Sequence, residues 1–171
     1  MARMLSKKRL AEWVAALSLV VSGAALAQGE EQLTVTVTPL KESLFVLQGR
    51  GGNVLASVGA DGVLLIDGDY SQYAPAYDRA IQGIASSERG PRFLLNTHWH
   101  GDHTGANSYW SERGAVIVAH QNVRSRMASR HQGKTSSRVV EPSPVEALPI
   151  LTYESGLALH FNADDIEVRH F

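Results

Sequence analysis

The stretch Phe93-Leu94-Leu95-Asn96-Thr97-His98-Trp99-His100-Gly101-Asp102-His103 joins a short apolar run to a dense group of metal-binding side chains. Phe93 to Leu95 reads as a buried strand, and the polar groups begin where it ends. The chain has seven histidines in 171 residues, so three of them in residues 98–103 are not an accident of composition. In extended backbone, residues two apart point the same way, so His98 and His100 can face one cation while Trp99 turns into the packing. Gly101 lets the backbone bend sharply. Asp102 and His103 then come round on the first turn of the next segment and face a second point a few ångströms away. Two imidazoles for one cation and a carboxylate plus an imidazole for another form a two-metal arrangement, suited to zinc and also to iron or manganese.

Reading outward, the elements on either side give this run its setting. Toward the N-terminus lie four predicted strands: Leu33–Thr38, which alternates and is ended by Pro39; Ser43–Leu47; Asn53–Val58; and Val63–Asp67. The fourth is apolar without alternation, as expected of a strand buried on both faces. Asp67 closes it. It is either a turn residue before Gly68 or an acceptor for a ligand imidazole N–H. Thr97 is placed to cap the turn or to hold a ligand with its hydroxyl. Apolar residues at Tyr73, Tyr77, Ala80, Ile81 and Ile84 keep a helical spacing. Toward the C-terminus the pattern predicts a short helix over 104–110, a buried strand over 115–119 and a basic helix over 122–130. A Ser- and Pro-rich loop follows over 133–149, then strands over 157–161 and 166–171. His120 reads as a capping or packing residue, His131 as solvated on the basic helix, and His160 and His170 as structural. Strands, then strand–helix alternation, then strands again indicate a mixed α/β (α+β) sandwich. The last strand runs into the C-terminus with no closing helix, which suggests an incomplete domain.

Bulk composition limits the function classes. A hydrophobic fraction of 44% and a charged fraction of 19% are ordinary for a globular protein, and the net charge of −1 offers no nucleic-acid surface. With no cysteine in the chain, disulfides, thiolate catalysis and Cys-ligated zinc are excluded. Residues 1–27 read as a secretory signal peptide: Arg3, Lys7, Lys8 and Arg9, then an apolar run from Trp13 to Ala25, then the small-x-small site Ala25-Leu26-Ala27. The run is too short to span a bilayer, so no membrane anchor is expected after cleavage. Export to the periplasm with cleavage after Ala27 leaves residues 28–171. Loss of the four basic residues and Glu12 takes the formal charge from −1 to −4.

Residues 97–107, Thr-His-Trp-His-Gly-Asp-His-Thr-Gly-Ala-Asn, resemble the first metal motif of the metallo-β-lactamase superfamily, His-x-His-x-Asp-His. Gly62–Gly68 resembles the strand ending in Asp that precedes that motif, and Val116–Arg124 resembles the strand and helix that follow it. The resemblance implies an αββα sandwich with His98 and His100 on a first zinc and Asp102 and His103 on a second. It also implies hydrolysis of a small molecule (a β-lactam, ester, thioester or lactone) by metal-activated hydroxide, with Asp102 orienting it and taking its proton. The family's remaining ligands lie in later motifs, and here the strand Ile166–Phe171 resembles the one that leads into the next ligand loop. The chain therefore resembles the N-terminal portion of such an enzyme, with two ligands per metal. The alternative is a truncated, non-catalytic fragment that binds a metal or a partner.

Overall fold

The structure, a computed structural model, describes residues 33–85, 90–132 and 139–171. The signal peptide expected over 1–27 lies outside the described residues. The main sheet has seven strands in the order β1 (Thr36–Lys41), β2 (Leu44–Gln48), β3 (Asn53–Gly59), β4 (Gly62–Ile66), β5 (Phe93–Asn96), β6 (Val116–His120) and β9 (Leu151–Tyr153). The first four form an antiparallel meander, and β4, β5, β6 and β9 run parallel. This is the mixed architecture expected from the change of pattern along the chain.

Local departures have physical causes. Pro39 does not end the first strand. It sits inside β1 opposite Phe45, because β1 is an edge strand and needs no N–H on its open side, and a register shift follows between Pro39 and Lys41. The helix expected over 104–110 is two short turns, α2 (Gly101–Thr104) and α3 (Asn107–Ser111), separated at Gly105 and Ala106. The basic helix is shorter than expected, α4 (Gln121–Met127), and Met127 gives its carbonyl to Ser143 N. His131 is therefore not on a helix. It lies in the two-stranded ribbon of β7 (His131–Gln132) and β8 (Val139–Val140), with its ring edge against Trp99 at 4.9 Å. Strand β9, within a region read as loop up to Pro149 and unassigned beyond it, is three residues long, and pairing with β6 is what makes it a strand.

One face of the sheet carries the helices. Leu47, Val54, Ala56, Val63, Leu65 and Leu94 pack against Tyr77 and Ile81 of α1 (Ala74–Gln82) and against Trp110 of α3. Each fully buried side chain of this size contributes about 1.5–3 kcal/mol. A smaller cluster of Ala119, Val123, Met127, Ala147 and Leu148 continues the same layer and receives Trp99. The opposite face receives the hairpin of β10 (Gly156–Phe161) and β11 (Asp164–Arg169), whose turn residues Asn162 and Ala163 both have positive φ. Phe161 meets Phe93 edge to face at 5.7 Å. Asn162 exchanges hydrogen bonds with Asp61 and donates to Ser57 Oγ and Gly62 O, which locks the hairpin to the β3–β4 turn. The layers are thus helices, sheet and hairpin, and the parallel strands β4, β5 and β6 all end at the same edge.

Candidate metal centre

That edge is where the parallel strands release their polar residues, the usual place for a site in an open α/β sheet. Asp67 follows β4, Thr97 follows β5, and residues 97–100 form a chain of bends rather than extended strand. The two-residue alternation invoked for His98 and His100 is therefore not what aligns them. The bends are, and they place His98 Nε2 3.1 Å from His100 Nδ1. Helix α2 then turns Asp102 and His103 inward, with Asp102 Oδ2 3.2 Å from His103 Nε2. The rings of His98 and His103 lie 3.9 Å apart, so the two donor pairs are neighbours. Trp99 points away, under Arg126 at 4.7 Å and against the small cluster.

These spacings fit a cation held by each pair. Nitrogen and oxygen ligands about 2.0–2.1 Å from a tetrahedral zinc stand about 3.3 Å from one another. Among the described residues no group of three or more His, Asp or Glu side chains comes together to hold a metal, so each pair could offer a cation two ligands at most.

Behind the donors lies Asp67, only 6% exposed and held at φ 62°. Its Oδ1 accepts from Thr97 N at 2.8 Å, and its Oδ2 accepts from Thr97 Oγ1 at 2.7 Å. Since Thr97 gives its only hydroxyl proton to Asp67, its oxygen is left to accept from His98 Nδ1, 3.1 Å away. His98 is thereby assigned the tautomer with a free lone pair on Nε2. Asp67 Oδ2 also lies 2.8 Å from His103 Nδ1, a contact bent away from the ring N–H direction, so it acts as an electrostatic brace rather than an aligned hydrogen bond. Burial, reinforced by the neighbouring rings of His103 and His100, lowers the His98 pKa from its ordinary value and favours the neutral, ligating form.

Three site-supporting residues escaped the sequence reading. Asn96 and Asn107, both fully buried, form a reciprocal amide pair. Asn96 Nδ2 also donates to His103 O at 3.2 Å, and Asn107 Nδ2 donates to Ala147 O at 2.9 Å. The signal for Asn96 was an amide at the end of an apolar strand, which must find partners once buried. The third is Asp69, two residues beyond Asp67 and fully buried. Of the remaining histidines, His120 accepts from Asn122 N to cap α4 and donates from Nε2 to Glu154 O, and His170 stacks on it at 3.6 Å.

Residues 47–164 match the family model of the metallo-beta-lactamase superfamily. The chain belongs to the metallo-β-lactamase superfamily. This is a family of metal-dependent hydrolases, and the matched span includes residues 97–103. No curated protein matches the sequence. Among solved structures, MIM-1 of Novosphingobium pentaromativorans, a metallo-β-lactamase, superposes with a TM-score of 0.67 at 20% identity, covering 85% of this chain and 55% of that one. BJP-1 of Bradyrhizobium japonicum, a subclass B3 metallo-β-lactamase, gives 0.63 at 18%, covering 83% and 54%. A Cronobacter sakazakii metallo-β-lactamase with a HARLDQ motif gives 0.64 at 18%, covering 77% and 51%. At these identities the likeness is one of fold. The chain spans about half the length of these metallo-β-lactamases.

Proposed function

We propose that this chain carries half of a two-zinc hydrolase site, and that the whole protein opens a β-lactam, ester, thioester or lactone. The observation that carries this reading is the pair of donor spacings, 3.1 Å between His98 and His100 and 3.2 Å between Asp102 and His103, with Thr97 and Asp67 bracing the far ring nitrogens. Zinc would be held by His98 and His100 at one point and by Asp102 and His103 at the other, with iron or manganese as the substitutes this donor set admits. When bound, zinc supplies Lewis acidity and brings the pKa of a water to about 7. Asp102, partly exposed at the mouth, would accept a proton from the attacking water at its carboxylate and keep that water oriented toward the substrate carbonyl. Trp99, turned into the packing, keeps the loop closed behind the donors.

Because each pair has only two donors among the described residues, a second reading is also supported: this stretch of chain by itself binds metal, or a partner, without turnover. The signal-like residues 1–27 favour a periplasmic location for either. Equilibrium dialysis against zinc, followed by assays with a chromogenic β-lactam, a thioester and a lactone, separates the two. Zinc uptake with hydrolysis supports the hydrolase, uptake without hydrolysis supports the binding segment, and no specific uptake removes both metal readings.

A further inference from the structure

Asp69 is fully buried, has φ 59°, and has no basic side chain paired with it among the described residues. Its carboxylate is instead surrounded by donors: Tyr70 N at 2.7 Å, Tyr77 Oη at 2.7 Å, Gly51 N at 3.2 Å and Gly52 N at 3.4 Å. A buried carboxylate persists only where donors satisfy it, so the loss of one partner disturbs the others and the network is held together as a unit. The left-handed backbone at a non-glycine residue persists where the surroundings over-determine it.

Those surroundings belong to the metal centre. The turn Gly49–Gly52 wraps the Asp69–Tyr77 pair so closely that a Cβ on Gly49 would overlap the Tyr77 hydroxyl and one on Gly51 would overlap the Asp69 carboxylate. The same turn passes about a methyl group's width from the metal loop, where a Cβ added to Gly52 would sit 3.6 Å from Asp102 O. The backbone of Asp69 takes part as well. Its carbonyl accepts from Ala106 N at 3.0 Å, two residues past the end of α2, while neighbouring Gly68 N donates to His103 O at 2.9 Å. Burial and the Asp69 carboxylate raise the Tyr77 pKa, so its hydroxyl stays a donor throughout the working pH range.

We propose that Asp69 is a positioning residue for Asp102 and His103: through Tyr77 and the Gly51 and Gly52 amides it fixes the glycine turn against α2 and sets the direction in which that donor pair points. Asp67 and Asp69, either side of Gly68, thus divide the labour, one bracing the imidazoles and the other bracing the helix that carries the second pair. The role assigned to that pair rests on the two-zinc reading above, but the placement of α2 does not.

The test uses Asp69→Asn and the milder Tyr77→Phe in the full chain, read first without metal. Proton–nitrogen spectra should show the Gly51 and Gly52 amides and the His103 ring signals moving in both variants, with His98 and His100 unmoved. A loss of stability alone would not select one ring. Zinc competition should then show about a tenfold loss of affinity in both variants, in line with the loss of a supporting hydrogen-bond shell. His103 signals unchanged while Gly51 and Gly52 shift would overturn the proposal and leave Asp69 as a brace for the turn only. If the unsubstituted chain takes up no zinc, the two-zinc reading fails, and the metal-free ring signals still decide the role of Asp69.

Discussion

Exchanging Asp67 for Asn changes one atom of the site and leaves the backbone in place, because Asn accepts the left-handed φ of 62° as readily as Asp does. The carbonyl of the new amide can keep the bond from Thr97 N, which now measures 2.8 Å. The other position, 2.7 Å from Thr97 Oγ1 and 2.8 Å from His103 Nδ1, changes from acceptor to donor. Thr97 must turn its hydroxyl toward His98 Nδ1, and His103 loses the negative charge beside its Nδ1. The His98 ring is then driven to carry its proton on Nε2, the nitrogen that faces the cation position. The charge-assisted bond from Thr97 Oγ1, worth about 1.5–3 kcal/mol, becomes a neutral one worth about 0.5–1.5 kcal/mol, so the fold should lose about 1–1.5 kcal/mol in urea unfolding. Zinc affinity should fall about 10- to 100-fold, as it does when the partner of a ligating imidazole is removed. Long-range proton–nitrogen spectra of His98 read its tautomer directly. Zinc affinity within about twofold of the unsubstituted chain, with His98 still protonated at Nδ1, would refute the bracing role of Asp67.

Asn107→Ala should destabilise the fold by about 2 kcal/mol or more in urea, because it strands Ala147 O and Asn96 in the interior, and a loss below about 0.5 kcal/mol would mean that the amide pair is not formed. Gly49→Ala and Gly114→Ala should differ for steric reasons. The first drives a methyl into the Tyr77 hydroxyl, while the second meets nothing within 4 Å and adds only the strain of φ 91°, about 1–2 kcal/mol. Equal melting temperatures for the two would contradict the close wrap of the glycine turn. In an exporting bacterial host the mature protein should begin at Gln28, and intact-mass spectrometry that finds residues 1–27 retained would defeat the signal-peptide reading.

How much of this was legible in the sequence follows from what each signal depends on. Strands β2 to β6 are marked by apolar runs and turn residues that are local, so their order and the edge at which they release His98 to His103 could be read directly. Pro39 misled because its cost depends on whether a strand is an edge, which is a tertiary fact. Strand β9 is too short to carry a pattern, and it exists through pairing with β6. The basic run carries no stop signal before His131, so its helical pattern extends past the end of α4 at Met127. At the site, the donor residues were legible because their spacing is dense. Asp69 and the Asn96–Asn107 pair were not, because a buried polar residue shows its purpose only when its partners, as far as 40 residues away, are brought to it.

The central claim is that His98, His100, Asp102 and His103 hold zinc from one bend of the chain. X-ray absorption at the zinc edge on the loaded chain tests it most directly, with the His98→Ala/His100→Ala double variant as comparison. The loaded chain should show a nitrogen and oxygen shell at about 2.0–2.1 Å with imidazole scattering beyond it, and the double variant should lose about half the bound zinc. Metal content and spectrum unchanged by that substitution would contradict the claim.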